Sequence, residues 1–588
     1  MKLSFHTILL LFLISYSSAL FAQKIYINQI GFDSKGTKQA VIGMEEKIAG
    51  ALPFTIINAD NHKVIFEGKL EKAEQVKDWS EQTYYYQANF SEIKANGTYS
   101  LEFSHKGKKI SSPSFQIRDQ ALAKLTIPSI IHYYHKQRAN TSEELGADKH
   151  IILQGSTNTV DLTGGWCDAS GDISKYLSHL AYTNFMSPQQ IPLVTWSMIS
   201  ANETIPRLLT QLNVKDSLIN EALWGADYLV RSLSKHDYFY MTVFSFFNKD
   251  PNARRVVGLL ADSKTTDQYQ SAFREGGGMA IAALARISRW KKNGAFSSGE
   301  YLSAAKRGFA HLLLNNTKYA DDGKDNIIDD YCGLLASTEL WMATDDLTYR
   351  DEARKRAKNL DKRMTSEGYF IADDNVRPFW HASDAGLPII AIARYLEKEK
   401  DPNLRAASLS TIKKALDYNL KITSNTANPF GYARQSFLIN GKYKEGFFIP
   451  HENESGWWWQ GENARLGSLA TAAIVGGRLV YPQAGGLGIK TELAKYATQQ
   501  LSWILGSNPY EMCFMYKFGQ KNVPYMASLF GHGSERGGIS NGITGKDGSA
   551  DGSGIDFKEH ANGNEWRWTE QWIPHSAWFL QAVSAMAQ

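Results

Sequence analysis

The hydrophobic pattern of the chain changes its period once, near Asp119, and this change limits most strongly what the 588 residues can fold into. Before that point, apolar and polar residues alternate in short runs separated by Gly, Asn and Asp, as in β-strands and their turns. After it, apolar residues recur every three to four positions, as on the buried faces of helices. Because so long a chain usually divides into more than one domain, the pattern predicts a small all-β domain followed by a large all-α domain.

The first domain is predicted to span residues 23–117 and to be an immunoglobulin-like β-sandwich. Its short strands are separated by turn signals such as Asp60-Asn61 and Lys106-Gly107, at the spacing typical of such sandwiches. No cluster of acidic and aromatic residues occurs here, so a structural or docking role is favoured over sugar binding. The predicted strands are Lys24–Ile30, Gln39–Gly43, Phe54–Asn58, Lys63–Glu67, Thr83–Gln87 and Thr98–Phe103.

The second domain is predicted to span residues 118–588 and to contain about a dozen helices. Pairs of helices that close into a ring, with loops at one end forming a cleft, would explain the pattern. An open helical solenoid is the alternative, but the sequence has no constant repeat length. The predicted helices are Leu122–His135, Tyr176–Met186, Pro192–Asn202, Leu218–Leu233, Gly278–Arg289, Tyr301–Leu314, Cys332–Ala343, Tyr349–Leu360, Leu387–Leu396, Leu404–Leu420, Ala464–Leu479, Leu493–Leu505 and Ile573–Ala587.

Residues 1–22 have the features of a secretory signal peptide. Lys2 gives a basic start, residues 8–14 form an apolar run, and the small Ala22 precedes Gln23. The apolar run is too short to anchor the mature protein in a bilayer, and we expect no membrane span elsewhere. The sequence thus predicts export to the periplasm or to the outside of the cell.

Charge and cysteine content argue against several classes of function. The formal net charge is only +4, which gives no electrostatic reason to expect a nucleic-acid partner. Three cysteines are too few for a disulfide framework or a cysteine-based zinc site, and we predict no metal ligands among the site residues.

Two acidic segments that lie far apart in the chain carry the residues most suited to chemistry. The first, Gly164–Asp172, places Asp168 and Asp172 on a glycine-rich turn. Two carboxylates on such a turn can share one water, one removing its proton and the other orienting it. Capping of a helix that starts near Lys175 is an equally good explanation of Asp172.

The second segment, Trp566–His575, places Glu570 among tryptophans just before an apolar helix. Aromatic surroundings exclude water and raise the pKa of a carboxyl group, as a proton donor to a leaving oxygen requires. Glu570 could instead serve only as a favourable charge at the helix N-terminus, and Glu565 competes for the same role. Acid and base carboxylates beside an aromatic cleft are what hydrolysis of a glycosidic bond requires.

These segments resemble glycoside hydrolase family 9. Gly164-Gly-Trp-Cys-Asp-Ala-Ser-Gly-Asp172 resembles the family's Gly-Gly-Trp-Tyr-Asp-Ala-Gly-Asp segment, and Leu505-Gly-Ser-Asn-Pro509 resembles its Leu-Gly-x-Asn-Pro segment. Thr569-Glu570, at its distance from Phe579, resembles the family's C-terminal Asn-Glu segment, and the three occur in the family's order. A preceding immunoglobulin-like domain is common in the family, so the resemblance covers essentially the whole mature chain.

The resemblance implies an (α/α)6 barrel for residues 118–588 and inverting hydrolysis of β-1,4-glucans. Carried over to this chain, Asp172 is the general base, Asp168 helps to hold the nucleophilic water, and Glu570 is the general acid. The resemblance, not the residues alone, selects Glu570 over Glu565. It implies a polysaccharide or oligosaccharide partner and no required cofactor, and we expect the protein to be a monomer.

The chain departs from the family pattern in two places. One extra residue separates Asp168 from Asp172, so the turn between them must absorb it. The family's His-His-Arg sugar-binding segment has no clean match, and His532 and Arg536 are the nearest candidates for it.

Aromatic and polar side chains near these segments are candidate sugar contacts, because flat apolar rings with polar neighbours suit the faces of glucosyl units. Three consecutive tryptophans at 457–459 cannot all face one cleft, so at least one is expected in the core. Two acidic loops, 321–330 and 547–556, could hold structural calcium, although neither has the standard spacing and solvated loops are the alternative. The candidate substrate-binding residues are Trp166, Tyr176, Trp380, His381, Trp457, Trp458, His532, Arg536 and Trp572.

From the sequence we therefore expect an exported endo-β-1,4-glucanase that acts on cellulose-type or xyloglucan-type chains. Two alternatives stay open: an exo-acting β-glycosidase on oligosaccharides, and a non-catalytic glycan-binding protein of the same fold. The acidic residues in both segments argue against the second alternative.

Overall fold

The N-terminal part of the chain is a β-sandwich. The computed structural model describes residues 23–50, 52–179, 186–373, 376–453, 456–526 and 532–588; the predicted signal peptide 1–22 lies outside these ranges. In the described part, nine strands precede the first helix: β1 (Lys24–Tyr26), β2 (Gly31–Asp33), β3 (Gln39–Met44), β4 (Pro53–Asn58), β5 (Val64–Lys69), β6 (Tyr84–Asn89), β7 (Gly97–His105), β8 (Lys108–Ser111) and β9 (Phe115–Arg118).

The nine strands form two sheets around a shared apolar core. One sheet has the order β1-β3-β6, and the other has the order β2-β9-β7-β4-β5 with β8 beside β7. Inward-facing side chains such as Phe32, Ile56, Leu101 and Ile117 are at most 2% exposed. Alternate residues of a strand point to opposite faces, so one face of each sheet lines this core. Strands β3 and β6 are buried on both faces. The predicted sandwich is confirmed.

The remainder of the chain is mainly helical. Within the described ranges the helices are α1 (Ala121–Lys136), α2 (Ser142–Asp148), α3 (Ile191–Thr204), α4 (Pro206–Gln211), α5 (Lys215–Ser232), α6 (Gly278–Ser288), α7 (Ser298–Tyr319), α8 (Ile327–Thr344), α9 (Leu347–Arg363), α10 (Leu387–Leu396), α11 (Pro402–Ser424), α12 (Asn463–Val480), α13 (Thr491–Ile504), α14 (Trp566–Thr569) and α15 (Ile573–Ala587). None of these helices is long and apolar enough to cross a membrane.

Twelve of the helices alternate between an inner and an outer ring. The inner helices α3, α6, α8, α10, α12 and α15 contact one another in this order, and α15 also contacts α3, which closes the ring. The outer helices α1, α5, α7, α9, α11 and α13 each pack on an inner one. Inner helix α12 is buried from Asn463 to Ile474, whereas outer helix α9 buries only one narrow face. The predicted (α/α)6 barrel is confirmed, and the closed ring excludes a solenoid.

A small sheet that the sequence did not predict lies at one end of the barrel. The predicted helix Tyr176–Met186 is wrong at its start, because β12 (Lys175–Tyr176) pairs antiparallel with β13 (Thr242–Phe244); residues 180–185 lie outside the described ranges. Short apolar runs have the same pattern in a buried strand and in a buried helix. The other strands of this sheet are β10 (Ile151–Leu153), β11 (Thr159–Val160), β14 (Arg255–Leu259) and β15 (Thr265–Thr266), and two later hairpins contain β16 (Gln435–Ile439), β17 (Lys442–Gly446), β18 (Glu452–Asn453) and β19 (Gly456–Trp457).

The sandwich and the barrel share an aromatic interface. Trp79 of the sandwich lies 4.6 Å from Phe447 and 5.7 Å from Trp503, between ring centroids. Gln29 adds a polar contact, since its backbone amide donates to the Leu505 carbonyl (3.0 Å). Burial of several large rings between the two domains makes them one packed body.

Candidate active site

Two segments that are about 400 positions apart in the chain are joined by backbone hydrogen bonds. Ala169 pairs antiparallel with Trp572. The Ser170 amide donates to the Gln571 carbonyl (2.8 Å), and the Gln571 amide donates to Ser170 Oγ (2.9 Å). Because these bonds fix the two backbones to each other, the acidic residues on both segments keep a defined mutual position.

The turn that carries the two aspartates depends on Gly171. Its φ is 92°, a left-handed conformation that glycine adopts without strain. The Gly171 amide donates to the His532 carbonyl (3.1 Å), and the Asp172 amide donates back to the Ala169 carbonyl (3.2 Å). The turn thereby absorbs the extra residue between Asp168 and Asp172.

Asp172 is held by three donors that all bind the same carboxylate oxygen. Oδ1 accepts hydrogen bonds from the Ser174 amide (2.9 Å), from Ser174 Oγ (2.8 Å) and from Ser245 Oγ (2.9 Å). These three hydrogen bonds fix the orientation of the carboxylate. Within the described ranges no side chain or amide donates to Oδ2, which leaves that oxygen to accept a proton or to bind water.

Asp168 is buried beside Asp172. Trp572 Nε1 donates to its Oδ1 (3.0 Å), and the Ile573 amide donates to its backbone carbonyl (3.1 Å). Burial, and then the neighbouring charges of Asp172 and Glu570, raise the pKa of Asp168 well above its usual range. Asp168 is therefore a rigidly oriented carboxyl group with one oxygen committed to an indole.

Glu570 is partly buried and has few polar partners. Burial raises its pKa to about 8, with a further contribution from the negative charge of Asp172, whereas Asn541 and Lys249 act in the opposite direction. Asn541 Nδ2 lies 3.4 Å from Glu570 Oε2. A carboxyl group in this state still carries its proton at neutral pH, as a general acid must.

All three carboxyl groups reach one open cavity of about 520 Å³. This volume is in the range of small-molecule binding sites. Trp572 is the one predicted sugar contact that lines it. The full lining is Asp168, Ser170, Gly171, Asp172, His179, Phe247, Lys249, Gln460, Met526, Gly563, Glu565, Trp566, Glu570 and Trp572.

Family comparisons agree with this fold. Residues 125–546 match the family described as glycosyl hydrolase family 9, and residues 21–108 match the one described as cellulase N-terminal ig-like domain. The chain belongs to glycosyl hydrolase family 9. The first match ends before Glu570. The hydrogen bonds given above connect the segment that carries Glu570 to the matched region.

Two endoglucanases are distant relatives of this chain in sequence. Endoglucanase 4 of Arabidopsis thaliana is 22% identical over 378 residues, which cover 63% of this chain and 70% of the plant protein. Endoglucanase 4 of Bacillus sp. (strain KSM-522) is 23% identical over 391 residues, which cover 64% of this chain and 53% of that protein. The chain thus spans about half the length of the Bacillus relative.

Solved family 9 structures share the whole architecture. A Bacteroides ovatus GH9 protein has a TM-score of 0.62 at 19% identity and covers 96% of this chain and 98% of its own. The GH family 9 endoglucanase J30 has the same TM-score at 16% identity, with 95% and 100% covered. At these identities the likeness establishes the fold.

Several cavity residues were not predicted from the sequence. Phe247 lines the cavity and is 63% exposed, and it follows the exposed Phe246; both residues are left-handed, with φ of 57° and 54°. Strained, exposed aromatic residues are common at functional sites, but no sequence rule locates them. Lys249 follows on the same loop and brings a positive charge to the cavity. His179 lies edge-on to Tyr176, with 4.4 Å between ring centroids.

Most of the predicted sugar contacts do not reach the cavity. They are buried in the protein interior, and some of them hydrogen-bond to other protein groups. Trp166 Nε1 donates to Glu221 (3.2 Å), and His381 Nδ1 accepts the Ser383 and Asp384 amides. These assignments are corrected, because a covered ring cannot stack on a sugar. The buried residues are Trp166, Tyr176, Trp380, His381, Trp458 and His532.

Two other predicted contacts are accessible but lie elsewhere. Trp457 is 46% exposed and lines a second cavity of about 440 Å³. Arg536 is exposed, and its guanidinium lies 4.5 Å from the centre of the Phe518 ring. Of the three consecutive tryptophans, Trp458 is the one in the core, as the sequence predicted for at least one of them.

A buried group of three possible metal ligands supports the aspartate turn. Glu144, Cys167 and His532 lie within 4.8 Å of one another. His532 Nε2 is 2.9 Å from Glu144 Oε1, and Cys167 Sγ donates to the same oxygen (3.4 Å). Burial raises the pKa of Glu144, but His532 and Arg254 outweigh it and lower the value to about 2. A metal ion could bind here only by replacing these hydrogen bonds among Glu144, Cys167 and His532.

The two acidic loops proposed for calcium have their carboxylates in ion pairs. Arg274 binds Asp321 (3.0 Å), Asp322 (3.1 Å) and Asp329 (2.8 Å). In the second loop, Asp547 binds Lys558 (2.7 Å). These pairs account for the acidic composition of both loops, so the structure gives no support to structural calcium.

Proposed function

We propose that the protein is an exported, inverting endo-β-1,4-glucanase that cleaves cellulose-type or xyloglucan-type chains. The observation that carries this proposal is that Asp172, held by hydrogen bonds to one carboxylate oxygen, and Glu570, whose pKa is raised by burial, line a single open cavity. Family membership supplies the class of reaction, and the endoglucanase relatives support a glucan substrate. Residues 1–22 support export, because they have the composition of a signal peptide.

In the proposed mechanism, Glu570 protonates the leaving glycosidic oxygen. Asp172, oriented by the hydrogen bonds of Ser174 and Ser245, removes a proton from the water that attacks the opposite face of the sugar. Asp168 orients that water, because its own position is fixed by Trp572. Proton donation and water attack occur in one displacement, so no covalent sugar–enzyme intermediate forms.

Inversion has a direct chemical test. We expect the first sugar released from a β-1,4-linked oligosaccharide to carry the α-anomer, because water attacks opposite the departing group. Proton NMR during the first minutes of hydrolysis distinguishes the two anomeric protons before mutarotation mixes them. An initial excess of β-anomer would contradict the proposed roles of Asp172 and Glu570.

The length of the first products tests the endo mode. Cleavage in the interior of a polymer lowers the viscosity of a soluble β-glucan long before most of its bonds are broken. Release of only mono- or disaccharides with viscosity preserved would favour the exo-acting alternative. Binding without release of reducing ends from any β-glucan would favour a non-catalytic role.

The raised pKa of Glu570 also predicts a pH dependence of stability. Between about pH 4.5 and 8 the folded protein keeps this proton while the unfolded chain releases it. The free energy of unfolding therefore falls as pH rises through this window, by at most about 1.4 kcal/mol per pH unit for this group. We expect the wild type to lose stability relative to Glu570→Gln from pH 4.5 to 8, and the difference to level off above. Urea unfolding of both proteins across this range measures it; a constant difference would contradict a protonated Glu570.

A further inference from the structure

The side-chain amide of Asn541 uses both its nitrogen and its oxygen in hydrogen bonds and contacts Glu570, the proposed acid. Its Nδ2 donates to the Trp566 carbonyl (2.8 Å) and points its second hydrogen at Glu570 Oε2 (3.4 Å). The Asn541 backbone amide donates to the Glu570 carbonyl (2.8 Å). One residue therefore contacts both the backbone and the carboxyl group of Glu570.

The orientation of that amide follows from its partners. A backbone carbonyl can only accept, so the atom facing Trp566 must be the nitrogen and the atom facing His575 must be Oδ1. His575 Nε2 lies 2.8 Å from Oδ1 and must donate to it. Burial lowers the pKa of His575 to about 3, so the ring is neutral and its single proton is on Nε2. Nδ1 is then an unprotonated nitrogen, and in the described ranges it has no hydrogen-bond partner.

His575 also packs against the other side of the site. Its ring lies edge-on to Trp572, with 5.3 Å between centroids, and Trp572 Nε1 holds Asp168. Trp572 immediately precedes α15 and His575 lies in its first turn, where the Ile573 amide donates to the Asp168 carbonyl. The buried His575 ring thus contacts Asn541, which contacts Glu570, and Trp572, which holds Asp168.

We propose that His575 and Asn541 are positioning residues for the general acid. His575 locks the Asn541 amide so that its N–H faces Glu570, and this N–H stabilises the carboxylate that forms when Glu570 gives its proton to the leaving oxygen. The inference rests on the proposed function of Glu570. This role explains why a neutral histidine is buried beside Glu570, where burial of a charged imidazolium would destabilise the fold.

The chemistry of this contact sets the direction of the expected effects. A hydrogen bond to the ionised form lowers the pKa of an acid. Removal of the Asn541 hydrogen bond therefore raises the pKa of Glu570 and destabilises the carboxylate that forms in the transition state. The other charged or titratable groups that interact with Glu570 or share its cavity are Asp168, Asp172, Lys249, Glu565, Tyr133, Tyr176 and His179. They are unchanged in the variants below, so a shift reports on the Asn541 contact.

The test uses the full chain with two substrates. For Asn541→Ala we expect kcat on cello-oligosaccharides to fall about tenfold, since a hydrogen bond to a charged group is lost. We also expect the alkaline limb of the pH–rate profile to move to higher pH. A dinitrophenyl cellobioside, whose leaving group needs no proton, should be cleaved at nearly the wild-type rate. A lower melting temperature with an unmoved alkaline limb and equal losses on both substrates would show a merely structural role and overturn the proposal.

Variants of His575 test the orientation step without altering Asn541. His575→Leu removes the donor, and we expect the same selective loss on cello-oligosaccharides. His575→Gln keeps an N–H donor and should recover most of it. In the wild type, 15N NMR should show a neutral His575 protonated on Nε2 across the active pH range, and a protonated Nδ1 would overturn the assignment.

The failure of this inference is distinguishable from failure of the proposed function. If the Glu570→Gln variant kept its activity, Glu570 would not be the general acid and the proposed function would fail. The pH dependence of unfolding reports the titration of Glu570 without any turnover. If Asn541→Ala leaves the upper end of that titration near pH 8, instead of moving it upward, the inference fails while the proposed function stands.

Discussion

Replacing Glu570 by Gln is expected to lower kcat on cello-oligosaccharides by about 1,000-fold, within the range that positioned acid–base groups contribute. Gln has the size of Glu and can still accept the hydrogen bond from Asn541 Nδ2 (3.4 Å), so the cavity keeps its shape. It has no proton to give, and an alkoxide is a poor leaving group. Binding of a glucan oligosaccharide, measured by calorimetry, should be close to that of the wild type.

Two comparisons make this result specific to proton donation. A dinitrophenyl cellobioside should lose far less activity than a cello-oligosaccharide in Glu570→Gln, because its leaving group departs as a stable anion. Glu565→Gln is the matched control, since Glu565 lines the same cavity in the same segment and its carboxylate accepts a hydrogen bond from the exposed Gly563 amide (2.7 Å). If Glu565→Gln caused the larger loss with the same leaving-group dependence, Glu565 would be the acid.

The barrel could be predicted because its signal repeats along the chain. Each inner helix is apolar on almost all sides, so an error at a helix end does not hide the helix itself. The helices Leu387–Leu396 and Ile573–Ala587 have the predicted bounds. The small sheet at one end could not be predicted, because β12 has only two residues and its pairing partner is more than sixty positions away. Short strands are specified by tertiary contacts, which local periodicity does not contain.

The site shows the same division between local and distant information. Asp168, Asp172 and Glu570 stand in recognisable segments, and Ser174 binds Asp172 from two positions away. Ser245 and Asn541 reach the carboxyl groups from 73 and 29 positions away, and nothing in their local sequence marks them. Tryptophans near Glu570 predicted a raised pKa for that residue, and burial raises its pKa to about 8. Side-chain direction decided which tryptophans reached the cavity: Trp572 does, and Trp166 points into the core.

Replacing Asp172 by Asn is expected to lower kcat by about 1,000-fold on both substrates. The attacking water must lose its proton whichever group departs, so a better leaving group does not rescue this variant as it rescues Glu570→Gln. The amide is neutral, and removal of the negative charge should also lower the pKa of Glu570, because Asp172 helps to raise it. The unfolding experiment described above should then show the Glu570 titration ending below pH 8.

Ser245→Ala provides a graded control for Asp172. It removes one of three hydrogen bonds to Oδ1 and leaves those of Ser174, so the base loses part of its orientation and keeps its charge. We expect a loss of about tenfold, again equal on both substrates, since one hydrogen bond to a charged group is removed. A loss confined to the cello-oligosaccharide, in this variant or in Asp172→Asn, would place Asp172 on the leaving-group side and invert the two proposed roles. Equal losses on both substrates, together with the selective loss in Glu570→Gln, would separate the base from the acid by their chemistry alone.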